Sequence, residues 1–155
     1  MNGIECKQVL RAYTKDLNKI EKNKVTVSNE GLGFAFRRVI DTPASCAMIE
    51  GLQSKKPVGL DIKVLKFNDS YSIPEENKWN NLSASVESLG GTRINGGMGW
   101  VSFNFESEYE AQTALSKLQE TAPSWIKVSA DGKTINLNNE TPVIDVMLTV
   151  DPKCL

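Results

Sequence analysis

The sequence predicts an α+β protein: a duplicated αββαβ unit of ferredoxin-like order, antiparallel sheet packed against four helices, with an extra C-terminal hairpin. Three observations predict it. One stretch repeats without a gap at an offset of 66 residues. Apolar spacing switches between helical and strand periods in the same order in both copies. Matching joints carry the same turn and capping chemistry.

The repeat is clearest between 29–57 and 95–123. Identical pairs are Asn29/Asn95, Gly31/Gly97, Gly33/Gly99, Leu52/Leu118, Gln53/Gln119 and Pro57/Pro123. Conservative pairs include Leu32/Met98, Phe34/Trp100, Val39/Phe105 and Ile49/Leu115. In each copy an Asn/Gly turn leads to an apolar strand, a capped amphipathic helix and a Pro-marked exit.

The elements follow in chain order. Val9, Leu10, Tyr13, Leu17 and Ile20 share one helical face and predict a helix over 5–22. Strands follow at 24–28 and 32–40. Asp41 is the expected N-cap of a helix over 42–54, with Pro43 in its first turn, where a missing N–H costs little. A strand at 60–67 closes the first copy. In the second, Ser72 and Glu75 have capping-box spacing before a helix over 73–89 that stops at Gly90. Strands at 92–95 and 98–105 come next. Ser107 caps a helix over 107–120, and 125–129 is a strand. Asp131-Gly132 marks a turn before a final hairpin of 133–138 and 143–150. The domain reading is a first unit over 1–67 and a second over 68–155, forming one compact pseudo-symmetric body. Strand 60–67 plus the second copy spells βαββαβ.

Composition closes off most chemistry. The chain has no histidine, which excludes Ser-His-Asp and Cys-His catalysis and His-ligated metals. Cys6, Cys46 and Cys154 are odd in number with no CxxC spacing, which argues against a disulfide framework and against zinc; the expectation is buried hydrophobes at Cys6 and Cys46 and a tail thiol at Cys154. Neither metal nor cofactor is expected, and no residues are nominated as catalytic. The N-terminal stretch is charged and amphipathic, and no apolar run is long enough for a membrane span, which predicts a cytoplasmic protein. A net charge of −1 gives no general attraction to phosphate or anionic lipid. The glycines have neither dinucleotide nor Walker spacing and read as turn residues. Glu108 and Glu110 suit the start of a helix dipole rather than an acid pair.

One segment has a familiar pattern. Gly97-Met98-Gly99-Trp100-Val101-Ser102-Phe103 resembles the RNP1 strand of RNA-recognition-motif domains, within a span of at most 61–130. The resemblance implies base stacking on Met98 and Trp100, with Val101, Phe103 and Phe105 facing the helices. It departs at the basic first position, which is Gly96, and at Met98, where the family has an aromatic. In the first copy the matching face carries Leu32, Phe34, Phe36 and Ile40. Two apolar faces in one small chain are expected to bury each other or share a core. Arg37 and Arg38, adjacent on one strand, point to opposite sides.

The functional expectation is a small non-enzymatic protein-binding module, acting as an inhibitor or as a subunit of a larger assembly. Its partner is another protein or a further copy of itself. The candidate contact residues are Phe34, Phe36, Arg37, Arg38 and Trp100. The alternatives are RNA or other single-stranded nucleic acid bound through the RNP1-like strand, and a histidine-free enzyme.

Overall fold

The computed structural model describes residues 3–151 and Lys153, with side chains from Glu5 onward. These residues form four helices and two four-stranded antiparallel sheets, a duplicated α+β unit with a C-terminal β-hairpin. The elements are α1 (Gly3–Asn18), β1 (Val27–Asn29), β2 (Phe34–Ile40), α2 (Pro43–Ser54), β3 (Leu60–Asp69), α3 (Glu76–Ser88), β4 (Thr92–Gly97), β5 (Trp100–Asn104), α4 (Glu108–Thr121), β6 (Ile126–Asp131), β7 (Thr134–Asn139) and β8 (Thr141–Val150).

The chain divides into two compact units. One takes the described residues up to Phe67 together with those from Val143 on; the other is Asn68–Pro142. Sheet one has the order β1-β2-β8-β3, and sheet two has the order β4-β5-β7-β6. The two orders are equivalent, position for position. Each unit runs α-β-β-α-β-β, and in each the last strand enters between the second and third.

The equivalence reaches single hydrogen bonds. Val150 N–H donates to Gly33 O at 2.9 Å, and Asn139 N–H donates to Gly99 O at 2.7 Å. Asp151 N–H reaches Gly59 O at 2.9 Å, and Glu140 N–H reaches Trp125 O at 2.8 Å. Register agrees as well: Ala35 faces Leu148 as Val101 faces Leu137. The second unit is therefore inserted between the third and fourth strands of the first.

That insertion alters two readings of the sequence. Strand 60–67 pairs within sheet one, so the βαββαβ run of the chain is divided between two sheets. Residues 143–150 belong to the first unit, while the hairpin at Asp131-Gly132 joins β6 to β7. A strand joins whichever ladder leaves a vacant slot, and sheet one lacks its interior strand until β8 arrives.

Both cores lie on the helix side of their sheets. In the first unit Leu10, Leu17, Ile49 and Leu52 pack on Ala35, Val39, Leu60, Ile144, Val146 and Leu148. In the second, Leu82, Val86, Ala111, Ala114 and Leu118 pack on Val101, Phe103, Ile135 and Leu137. Burying these side chains drives each unit, at about 25 cal/mol per Å² of apolar surface.

Helix starts differ from expectation in two places. Thr42, not Asp41, caps α2, its hydroxyl accepting from Ser45 N–H at 3.1 Å. Ser72 does not cap α3: its hydroxyl donates to Asp69 Oδ2, and the helix begins four residues later after Glu75. At α4 the cap is Ser107, as its sequence predicts, accepting from Glu110 N–H at 3.1 Å. Cys6 is fully buried and disulfide-bonded, which overturns the expectation against a disulfide drawn from the odd cysteine count; Cys46 is a free, half-buried thiol, and Cys154 lies outside the described residues.

Gly99 and Gly132 separate two costs of a side chain. Both have positive φ, 78° and 60°. A Cβ at Gly99 would stand 1.8 Å from the Ser70 carbonyl oxygen, whereas one at Gly132 meets nothing within 4 Å. Gly132→Ala is expected to cost about 1–2 kcal/mol, the backbone penalty alone. Gly99→Ala should cost more than about 4 kcal/mol, since backbone must move. Urea unfolding of the two variants checks the difference.

Candidate partner interface

Helices cover one face of each sheet, and strand alternation sends every second side chain to the other face. In sheet one that open face carries Val27, Phe34, Phe36, Leu65, Phe67 and Met147, with Arg38 and Asp145 among them and Asp61, Lys63 and Thr149 toward its ends. Phe36 stands opposite Val27 on one side and Met147 on the other. Leu65 is 62% exposed, Val27 56% and Met147 41%; the three phenylalanines are half-buried.

Arg38 and Asp145 face each other across the ladder and pair through two contacts, Nε to Oδ1 at 2.6 Å and Nη2 to Oδ2 at 2.9 Å. The same guanidinium lies 4.7 Å from the centre of the Phe67 ring. An Arg held both by a carboxylate fork and by a ring is fixed in direction. The centre of the face is therefore charged yet neutral in sum, and rigid.

Sheet two offers the comparison. Its open face carries Asn95, Trp100, Ser102, Asn104, Lys127, Ser129, Asp131, Thr134, Asn136 and Asn138. Ser102 donates to Asn136 Oδ1 at 2.6 Å. Where sheet one has Phe36 and Met147, sheet two has Ser102 and Asn136, and where it has Leu65, the twin is Asp131. Trp100, 38% exposed, occupies the space a side chain at Gly97 would need, and the guanidinium of Arg93 does the same at Gly96. Val101, Phe103 and Phe105 point into the core, as the strand parity requires.

The five nominated residues thus separate. Phe34, Phe36 and Arg38 share the open face of sheet one. Trp100 stands on the open face of sheet two. Arg37 turns inward and is fully buried. Its Nη1 donates to Lys24 O at 2.6 Å and to Thr26 Oγ1 at 2.9 Å, and its Nη2 donates to Glu21 O. Burial pulls its pKa below the ordinary arginine value, with Glu21 opposing that pull.

Arg37 has a structural task that its twin, the buried Phe103, lacks. Eight residues, 19–26, link α1 to β1, whereas three, 89–91, link α3 to β4. The longer link folds over the sheet and presents carbonyls to the interior. Glu21 turns it with a left-handed φ of 49° and its carboxylate accepts from Ile40 N–H at 2.6 Å. Leu65, Phe67, Asp145 and Met147 escaped nomination. Their signal was strand parity on β3 and β8, readable only once those strands were placed in one sheet.

Elsewhere the surface holds shallow clefts. One of about 330 Å³ is lined by Lys56, Gly59, Leu60, Asp61, Thr149, Val150 and Asp151. One of about 110 Å³ borders Cys46, whose thiol donates to Asp41 Oδ1 at 3.2 Å; that carboxylate raises the thiol pKa. Among the described residues no group of three His, Cys, Asp or Glu is placed to hold a metal, and no helix is long and apolar enough to cross a membrane. No family model, curated protein or solved structure matches the chain.

Arg37→Ala is expected to destabilise the first unit by about 3 kcal/mol, because a buried charged donor is lost and its acceptors are left unpaired. The companion Arg38→Ala, on the half-open face, should cost about 1 kcal/mol or less. Chemical denaturation of both variants tests the ranking.

Proposed function

We propose that this protein is a non-enzymatic protein-binding module, acting as an inhibitor or as a subunit of a larger assembly, whose contact surface is the open face of sheet one. The observation that carries this reading is the contrast between twins. Two sheets of one topology and register have different open faces: the middle of one is aliphatic and aromatic around Arg38 and Asp145, while the other, Trp100 apart, is built of amides, hydroxyls and charges. The polar twin shows that this fold does not require an apolar outer face. Exposed apolar side chains grouped on one sheet, around a fixed Arg–carboxylate pair, are what a protein partner buries.

Charge separates this reading from nucleic-acid binding. Trp100 is the aromatic that would stack a base, and the unit around it holds five Lys/Arg against ten Asp/Glu, a net of −5. The first unit holds thirteen against nine, a net of +4. A phosphate chain would be repelled by the unit that carries the stacking residue.

The test uses the twin as its control. A photo-crosslinking side chain at position 65 is expected to label one protein species from host lysate, or the chain itself. The same side chain at the twin position 131 should not. Phe36→Ser with Met147→Asn, both borrowed from sheet two, should abolish the labelling while preserving the cooperative unfolding transition. Equal labelling at 65 and 131, or none at either, would remove the basis of the proposal.

A further inference from the structure

The second unit is continuous. Its sheet and its buried cluster come from residues within Asn68–Pro142. The first unit is not. β8 supplies Ile144, Val146, Leu148 and Val150 to its core and Asp145 and Met147 to its open face, yet β8 follows the entire second unit in the chain. In the second unit the equivalent strands, β6 and β7, are joined by a tight turn at Gly132.

The ends of the inserted unit are pinned together. Asn139, 2% exposed, donates through Nδ2 to Ser70 O and to Ser72 O, both at 2.9 Å. Its Oδ1 accepts from the N–H and hydroxyl of Thr141. Gly99 closes against the Ser70 carbonyl and accepts from Asn139 N–H at 2.7 Å. The outgoing segment 69–72 and the returning segment 139–141 are therefore one clasp. While it holds, the first unit experiences the insertion as a short connection.

We propose that the second unit gates the first: sheet one and its open face form stably only while Asn68–Pro142 is folded. Unfolding that unit replaces the clasp with a flexible loop of about 75 residues; with the Cys6 disulfide reduced, so that this loop is the tether, its closure lowers the equilibrium constant for forming sheet one roughly several-hundredfold. Unfolding the first unit leaves the second unit intact, with its clasp still closed. The chain thus has one stable partly folded form, with the second unit standing alone. Anything that stabilises or melts the second unit sets the availability of the face. Only the description of that face as a partner surface rests on the proposed function; the folding dependence stands apart from it.

The experiment follows β2 and β5 separately by hydrogen–deuterium exchange in the full chain, its Cys6 disulfide reduced, across a urea titration. Leu137 and Leu148 are twins, both fully buried. Leu148→Asp is expected to open β2 and leave β5 protected. Leu137→Asp should open β5 and weaken the protection of β2 by the same several-hundredfold factor. In the wild type no urea concentration should show β2 protected with β5 open, a readout independent of either variant. Wild-type protection of β2 in Leu137→Asp, or loss of β5 in Leu148→Asp, overturns the gate. If the gate holds while crosslinking at position 65 fails, the partner reading falls and the gate remains.

Discussion

β8 lies between β2 and β3, so sheet one has no continuous hydrogen-bonded ladder until residues 143–150 are in place. An interior strand satisfies the backbone of both neighbours, and an empty slot would leave two rows of N–H and C=O groups without partners. The apolar core under sheet one depends on the same strand, since alternate residues of β8 are buried in it. Its other residues complete the open face. Ladder, core and candidate surface of the first unit therefore share one requirement. The second unit meets the same requirement locally, because its last two strands are adjacent in sequence.

Duplication also makes the two units controls for each other. Where they agree, the feature belongs to the fold: inward Leu137 and Leu148, and left-handed glycine at Gly33 and Gly99. Where they differ, the fold has left the position open. Arg37 replaces Phe103 because the link before β1 is longer and turns carbonyls inward, which a phenyl ring cannot satisfy. Phe36, Leu65 and Met147 replace Ser102, Asp131 and Asn136 with no compensating change in the fold. The first difference is accounted for inside the unit. The second calls for something outside the sheet.

Much of the fold was legible because the repeat is encoded locally. Capping hydroxyls, glycine turns and helical spacing act within a few residues, so Gly33, Gly99 and Ser107 could be read directly. The destination of 143–150 was not legible. Val143–Val150 alternates well enough for an interior strand of either sheet, and no neighbouring residue states which ladder has the vacancy. Asp41 and Thr42 are both competent caps, and only the backbone turn decides between them. Arg37 misled for a related reason: a charged residue reads as solvated, and its acceptors are main-chain carbonyls that no side-chain pattern reveals. The open face was partly legible, since Phe34, Phe36 and Arg38 share a strand. Leu65 and Met147 come from strands that meet only through the insertion.

Nesting gives the surface a property that two units in tandem would lack. In tandem, each sheet would form from its own contiguous segment and each face would exist independently. Here the polar sheet is autonomous and the apolar one is conditional. An apolar face is the more hazardous to expose in a half-formed state, because unpaired strands beside exposed phenylalanine and leucine invite edge-to-edge association. The order of the chain reduces that hazard. β2 and β3 acquire their interior partner only through a folded neighbour whose ends Asn139 holds together. By the time the hydrophobic face of sheet one is assembled, its ladder is closed and Arg38 already faces Asp145.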